Sequence, residues 1–422
     1  MGVLLKLSCC FLAVALYNAD FVHAKKTTVL CYIAAWASTR VHQGRFTVRD
    51  ADTQHCTHVV YAFMAINETT SEIQSVDKYI DLDMGGKGRG QLKELRVLKT
   101  FNPSIKVLAS VGGYSEGSIK FSEMARSSSK KTTFINSLIR FIREWGLDGI
   151  DICWQFPGQR GGRSSDRQNF ISLLRDIKRL FQPEGWLLTV HIIAKRSVIN
   201  LGYDVRSISE IVDYINLAAV EYHGPWDRTT GIMAPLTSEN ENNVNFMVNY
   251  TIAKGADRSK ILLGLPTYGH AYVVEDTIKR GQYLNLVSDQ TFLSQFTNEH
   301  GIIAYNEICY EMKTGDGWNE EWNQDSSTPV AYNDNRFVSY DNKRSLLEKA
   351  RLVNTYQLGG IMLWSLDMDD FLGQCHDKPY PLLSAVTDYL DHEDGSSSNT
   401  DNRNKDKPPK KKVVINQEYG KK

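Results

Sequence analysis

The stretch DGIDICWQFPG, Asp148 to Gly158, reads as a buried strand that ends at a site loop. Two acids, Asp148 and Asp151, lie three apart. The next positions at which chemistry could sit hold Cys153 and Gln155. The run is either the active-site strand of an enzyme or what is left of one after its reacting groups were replaced.

Working outward, similar short apolar runs recur at Val29–Ala35, His58–Ala65, Lys106–Val111, Leu147–Trp154, Leu187–Ile193, Tyr214–Val220, Ile261–Pro266 and Gly360–Leu366. They are rich in Val, Ile, Leu and Tyr without polar alternation, as expected of parallel strands covered on both faces. Longer amphipathic patterns lie between most of them. Lys130–Trp145 puts Phe134, Leu138, Phe141 and Ile142 on one face, and Gln168–Phe181 does the same with Phe170, Leu173, Leu174 and Ile177. Eight strands with helical crossovers predict an α/β fold, a (β/α)8 TIM barrel. The competing open doubly wound sheet usually carries a Gly-rich phosphate turn, and GxGxxG is absent. The gap between the seventh and eighth runs is too long for one helix. The expected organisation is therefore a barrel over 25–268 and 339–391, with a small α+β insertion domain at 269–338.

The chain has 422 residues, 42% of them hydrophobic, and a formal net charge of zero. No global field recruits nucleic acid or a membrane surface. Lys6 precedes the apolar run Leu7–Leu16, and Val22-His23-Ala24 offers a cleavage point. Residues 1–24 thus read as a signal peptide, too short to span a bilayer, and the chain as secreted. No later stretch is long and apolar enough to span. Cys9 and Cys10 leave with the leader, and the five cysteines that remain have no zinc-like spacing. Asn67 and Asn249 open glycosylation sequons. From His392 the composition turns Ser/Asn/Asp-rich and then Lys-rich, so 392–422 is expected to be a disordered basic tail. Its lysines at 405, 407, 410, 411, 412, 421 and 422 either solubilise the chain or anchor it to heparan-like glycans or a cell-surface receptor.

Seven landmarks in order, LCYIAAW (30–36), CTHVVYAF (56–63), SVGGY (110–114), DGIDICWQFPG (148–158), YHGPW (222–226), GLPTYG (264–269) and GGIMLWSLDMDDF (359–371), show that the chain resembles glycoside hydrolase family 18, the chitinases and chitinase-like proteins, from about Thr28 to Leu390. The resemblance implies the same barrel with an insertion before the last strand. It also implies disulfides Cys31–Cys56 and Cys309–Cys375, leaving Cys153 free. In that family the fourth strand reads DGxDxDxE. The Glu protonates the glycosidic oxygen, the substrate's own acetamido group is the nucleophile, and the Asp two residues earlier orients it, outside the two-carboxylate scheme. Spacing by two keeps these side chains on one face of the strand.

Against that pattern, the acid position here is Gln155, whose amide has no dissociable proton at neutral pH. The orienting Asp is Cys153. The family's Met-x-Tyr-Asp is represented by Ala218, Val220 and Glu221, so the phenol at 220 is missing, and its Tyr-Gly-Arg reads Tyr268-Gly269-His270. Asp148 and Asp151 are expected to be structural members of this degenerate site. The aromatic residues Tyr32, Trp36, Phe63, Trp226 and Trp364 persist. They could stack on sugar rings or simply fill the barrel. The wording WQFP is similar to the insect imaginal disc growth factors, a non-catalytic branch, whose long insertion after the motif is not present here. The expected function is a secreted non-catalytic protein acting as an extracellular growth, immune or matrix factor. The alternatives are a chitooligosaccharide-binding lectin and a residual chitinase. No cofactor or metal is expected.

Overall fold

The computed structural model describes residues 27–290 and 292–395. The signal-peptide reading of 1–24 and the basic tail from 396 onward lie outside the described residues, and so does the expected heparan-like contact.

Eight parallel strands form a closed barrel: β1 (Thr28–Ala34), β2 (His58–Ile66), β3 (Lys106–Gly112), β4 (Gly149–Cys153), β5 (Leu187–Ile193), β6 (Tyr214–Ala218), β7 (Ile261–Pro266) and, after an insertion, β13 (Gly360–Trp364). β1 pairs with both β2 and β13, which closes the ring. Helices α1 (Gln91–Phe101), α2 (Ser128–Trp145), α3 (Asp166–Phe181), α4 (Val244–Ala253), α6 (Lys343–Tyr356) and α7 (Pro381–Gly395) belong to the outer layer. The insertion is a five-stranded antiparallel sheet: β8 (Tyr268–Val273), β9 (Ile302–Ala304), β10 (Asn319–Asn323), β11 (Thr328–Asn333) and β12 (Arg336–Ser339). Helix α5 (Tyr305–Thr314) follows β9.

The period of two along each strand sorts the two cores. Cys31, Ile33, Ile150, Ile152, Ile215 and Leu217 face the helices and join the large outer core. Leu30, Tyr32, Val60, Ala62, Leu108, Leu262 and Met362 fill the barrel. Helix α2 is held by Phe134, Leu138, Phe141 and Ile142, all buried, and ends at Gly146, whose φ of 65° suits a glycine cap. Helix α7 overruns the boundary read from composition. It continues through Gly395 and takes in 392–395, because Leu382, Leu383, Val386 and Leu390 anchor its buried face and extending a formed helix costs little.

Both disulfides implied by the family resemblance are present, Cys31–Cys56 and Cys309–Cys375, each with Cα atoms 6.0 Å apart. They close chain separations of 25 and 66 residues, worth roughly 3–4 kcal/mol each in the chain-entropy account. Cys153 is free and buried. Among the described residues, no helix is long and apolar enough to cross a membrane.

At the N-terminal end of the barrel, His58 is 9% exposed and sits edge-on to Tyr214. Burial is the main influence that drives its imidazole down to about 4, with Lys106 adding to it and Asp148 opposing. Between the unfolded value near 6.5 and that native value the unfolded chain binds the proton more readily, so stability rises with pH across this window and is lost as pH falls through it. In urea titrations at the two ends of the window, His58→Gln should reduce the acid-induced loss by on the order of 1–3 kcal/mol. Equal pH slopes for parent and variant would remove His58 as the cause.

Candidate functional site at the barrel mouth

The inward residues of β4 are Gly149, Asp151 and Cys153, with Gln155 next in phase beyond the strand end. Asp151 is fully buried and takes four donors. Its Oδ2 accepts from the Tyr32 hydroxyl at 2.9 Å and Ser110 Oγ at 2.6 Å. Its Oδ1 accepts from Thr189 Oγ1 at 2.7 Å and Asn216 Nδ2 at 3.0 Å. One carboxylate thus ties together strands β1, β3, β4, β5 and β6. Unpaired in this interior it would cost several kcal/mol, which the four charge-assisted contacts offset.

Cys153 is enclosed, and burial together with the nearby Asp151 pushes its thiol well above the ordinary range. It is a neutral group at neutral pH. Gln155 is half-buried, with Nε2 3.8 Å from the Cys153 sulfur. The Tyr203 hydroxyl holds the carbonyl oxygens of Trp154 and Gln155 at 2.8 and 2.7 Å. Trp154 points the other way, stacked on Phe121 at 5.1 Å in the outer core. The β3 end reaches this strand closely because Gly112 and Gly113 have φ of 120° and 91°. A Cβ at 112 would run into the Cys153 carbonyl oxygen and one at 113 into the Phe63 ring.

Beyond β6, Glu221 lies at φ 58° with its side chain 44% exposed. Its Oε1 accepts from the Tyr268 hydroxyl at 2.7 Å and stands 3.7 Å from His270 Nε2. Burial by itself would raise this carboxyl, but the His270 and Tyr268 contacts outweigh it and hold Glu221 below the usual range. Val220 and Trp364 both pack against the cluster around Tyr268. His191 is buried on β5 opposite Asn216, edge-on to Tyr32, and burial lowers its imidazole.

Trp364, Phe63 and Trp36 form a half-buried aromatic group. Phe63 and Trp364 stack at 5.5 Å, Phe63 and Trp36 at 6.2 Å. The Trp36 indole donates to Glu299 Oε1 at 2.9 Å, a residue of the insertion. Arg40 pairs with Asp367 at 2.7 Å and reaches Glu299 at 3.6 Å.

The structure separates two residues that the sequence put together. Asp148 is not at the mouth or inside the barrel. It has the opposite phase to Asp151 and sits at the N-terminal end of β4, accepting from the Val107 amide at 2.8 Å and pairing with Lys99 at 2.8 Å. Tyr32 also departs from its place among the sugar-facing aromatics. It is completely enclosed and spent on Asp151 and Asn216, so it offers no face to a ring. Trp226 is 62% exposed and meets the His270 ring edge-on at 5.2 Å. The sequons lie at the surface, Asn67 in a turn and Asn249 on α4.

Ser110, Thr189, His191, Asn216 and Glu299 were missing from the sequence-derived site, where Tyr268 and His270 figured only as the counterpart of the family's Tyr-Gly-Arg. The first four are polar residues in inward phase within apolar runs, a signal that the sequence contained. Glu299 had no such signal. Cys309, Asp370 and Cys375 come within ligand distance of one another, but both sulfurs are joined in a disulfide. A cavity of about 740 Å³ opens beside that disulfide, walled by Tyr305, Met312, Tyr340 and Leu347, and none of the mouth residues lines it.

Comparison with known proteins gives a consistent picture. The family model for glycosyl hydrolases family 18 matches residues 28–369. The chain is 37% identical over 358 residues to Probable chitinase 2 of Drosophila melanogaster, covering 82% of this chain and 73% of that one. The Group IV chitinase of Ostrinia furnacalis superimposes with a TM-score of 0.81 at 34% identity, covering 86% of this chain and all of the other. Human YKL-39, described as a pseudo-chitinase with retained chitooligosaccharide binding properties, superimposes with a TM-score of 0.76 at 31% identity, over 86% of this chain and 100% of that one.

Proposed function

Since the chain belongs to glycosyl hydrolases family 18, we propose that it is a chitinase-like protein that holds a chitooligosaccharide at the barrel mouth without cleaving it. The observation that carries this reading is the β4 edge. Its carboxylate, Asp151, is buried and committed to four donors, and the next two inward positions are a neutral thiol and an amide. The exposed carboxylate nearby, Glu221, is held in the ionised form, so it has no proton to give to a leaving group. What the mouth retains is aromatic surface. Trp36, Phe63 and Trp364 present partly exposed rings of the kind that anchor ligands. A solved relative of this family is described as binding chitooligosaccharides as a pseudo-chitinase, which supports the same role here. Secretion through the 1–24 leader, and use of this binding in growth, immune or matrix signalling, complete the proposal.

Titration calorimetry with chitotetraose tests it. The parent should bind saturably, and Trp364→Ala should weaken binding at least about tenfold. Because Trp364 also packs on Tyr32, Trp36→Ala serves as a second variant, with folding checked by circular dichroism. A fluorogenic chitobioside should release no product above a heat-treated control. Turnover, or affinity unchanged in both folded variants, would overturn the reading.

A further inference from the structure

The cavity of about 740 Å³ beside the Cys309–Cys375 disulfide lies where the insertion meets the barrel. Helix α5 and β10 of the insertion line it, together with the turn after β12 and the start of α6. Its volume falls in the range of small-molecule sites, about 300–1,000 Å³, and such sites favour junctions between domains.

The floor is apolar. Ile308 and Tyr340 are buried there, and Met312 and Leu347 are half-buried. The walls are fixed in advance, which lowers the ordering cost of binding. The disulfide ties α5 to the loop after β13. Glu320 Oε1 on β10 accepts from the Tyr340 hydroxyl at 2.7 Å and from Asn342 Nδ2 at 3.1 Å. Asn342 in turn caps α6 by accepting from the Ser345 amide at 3.2 Å.

The rim is basic. Lys313, Lys343, Arg344 and Arg351 line it against two carboxylates, Glu320 and Glu348, so positive charge is in excess. Arg351 is paired with Glu348. Lys313 donates to the Gln374 carbonyl oxygen at 3.2 Å, and the Arg344 guanidinium stacks on the Trp322 ring at 3.7 Å. Neither of these cations nor Lys343 has a carboxylate partner among the described residues.

We propose that this cleft binds a single-chain amphipathic anion, a long-chain fatty carboxylate, with its chain on the apolar floor and its head among Lys313, Lys343 and Arg344. An inorganic anion would leave the floor wet. A cationic or neutral lipid would leave the rim without a counter-charge. The Lys-rich end of the chain has the wrong sign to fill the cleft. The inference does not rest on the reading of the mouth, because no mouth residue lines this cavity.

The test is calorimetric titration of the full chain at neutral pH with dodecanoate below its micellar concentration, with butanoate and with dodecyltrimethylammonium. Dodecanoate should bind once per chain, at least about 100-fold more tightly than butanoate, since its additional methylenes reach the floor. It should bind at least about tenfold more tightly than the cation of similar chain length, and added salt should narrow that difference. Lys343→Glu combined with Arg344→Glu should weaken dodecanoate at least about tenfold. Both positions are exposed in the first turn of α6, where acidic residues suit the helix dipole. Saturating chitotetraose should leave dodecanoate bound. No saturable binding, an affinity matched by butanoate or by the cation, or one unchanged in the folded double variant overturns the inference. So does displacement by chitotetraose, which would move the anion to the mouth. A Glu-rich peptide that binds where dodecanoate does not would assign the rim to an acidic partner and overturn it too. The chain-length and head-charge comparisons use the parent alone and decide the matter should the variant not fold. Failure of chitotetraose to bind removes the proposed function and leaves this inference standing.

Discussion

Gln155→Glu alone is expected to raise chitooligosaccharide turnover by no more than about tenfold over background, far below the 10²–10⁴ that a working general acid typically supplies. The triple change Gln155→Glu, Cys153→Asp, Val220→Tyr should exceed the single change by about 100-fold or more. The physical reason lies in what surrounds position 155. A new carboxyl there would find a buried neutral thiol two residues before it and an isopropyl group beside Trp364. The acetamido group that must attack would be neither aligned nor met by a fixed partner, and alignment carries much of the rate in an intramolecular attack. An Asp at 153 would also lie next to Asp151, and two neighbouring carboxylates raise one another's proton affinity, so the restored acid and its neighbours act as a unit. The measurement is kcat/KM for the three single variants and the triple on one fluorogenic substrate. If Gln155→Glu approaches the triple, the mouth was one substitution from function and its non-catalytic reading is wrong.

Lys349→Met is expected to cost about 3–5 kcal/mol of stability, because it strands a buried charge. Lys349 on α6 and Asp341, just after β12, are both fully buried, and Nζ lies 2.6 and 2.5 Å from the two carboxylate oxygens. Burial, the largest influence, pulls the Lys349 ammonium below its usual range against the attraction of Asp341. The ion pair is therefore costly to form, yet destructive to halve. It sits where the chain leaves the insertion and re-enters the barrel, so the loss should show in global unfolding. Adding Asp341→Leu to Lys349→Met should recover most of the stability, since an apolar pair replaces the ion pair at little cost. Urea denaturation of the parent, both single variants and the double would decide it. A single-variant cost under about 1 kcal/mol would mean that water or another group reaches the stranded carboxylate.

All eight barrel strands could be located from the sequence to within a few residues. Each is a predominantly apolar run, and covering by helices on one face and barrel packing on the other demands that composition. The replacement of the family's carboxyl groups at the β4 edge by Cys153 and Gln155 was legible for a related reason. The spacing by two from Asp151 to Cys153 to Gln155 is set by the pleat itself, so the residues at the mouth can be named without coordinates. The same rule, applied to single residues, would have moved Asp148 to the opposite face and drawn Ser110, Thr189, His191 and Asn216 into the site. What phase cannot supply is convergence between distant segments. Asp151 accepts from four other strands because the closed ring sets their polar residues at one level. Tyr32 loses its place as a sugar platform to that same layer. Glu299 reaches the Trp36 indole across 263 residues of chain, and His270 meets Glu221 only because β8 folds back over the mouth. Local periodicity determines which way a side chain faces; docking of the insertion on the barrel, decided by packing between segments with no shared pattern, determines what it faces.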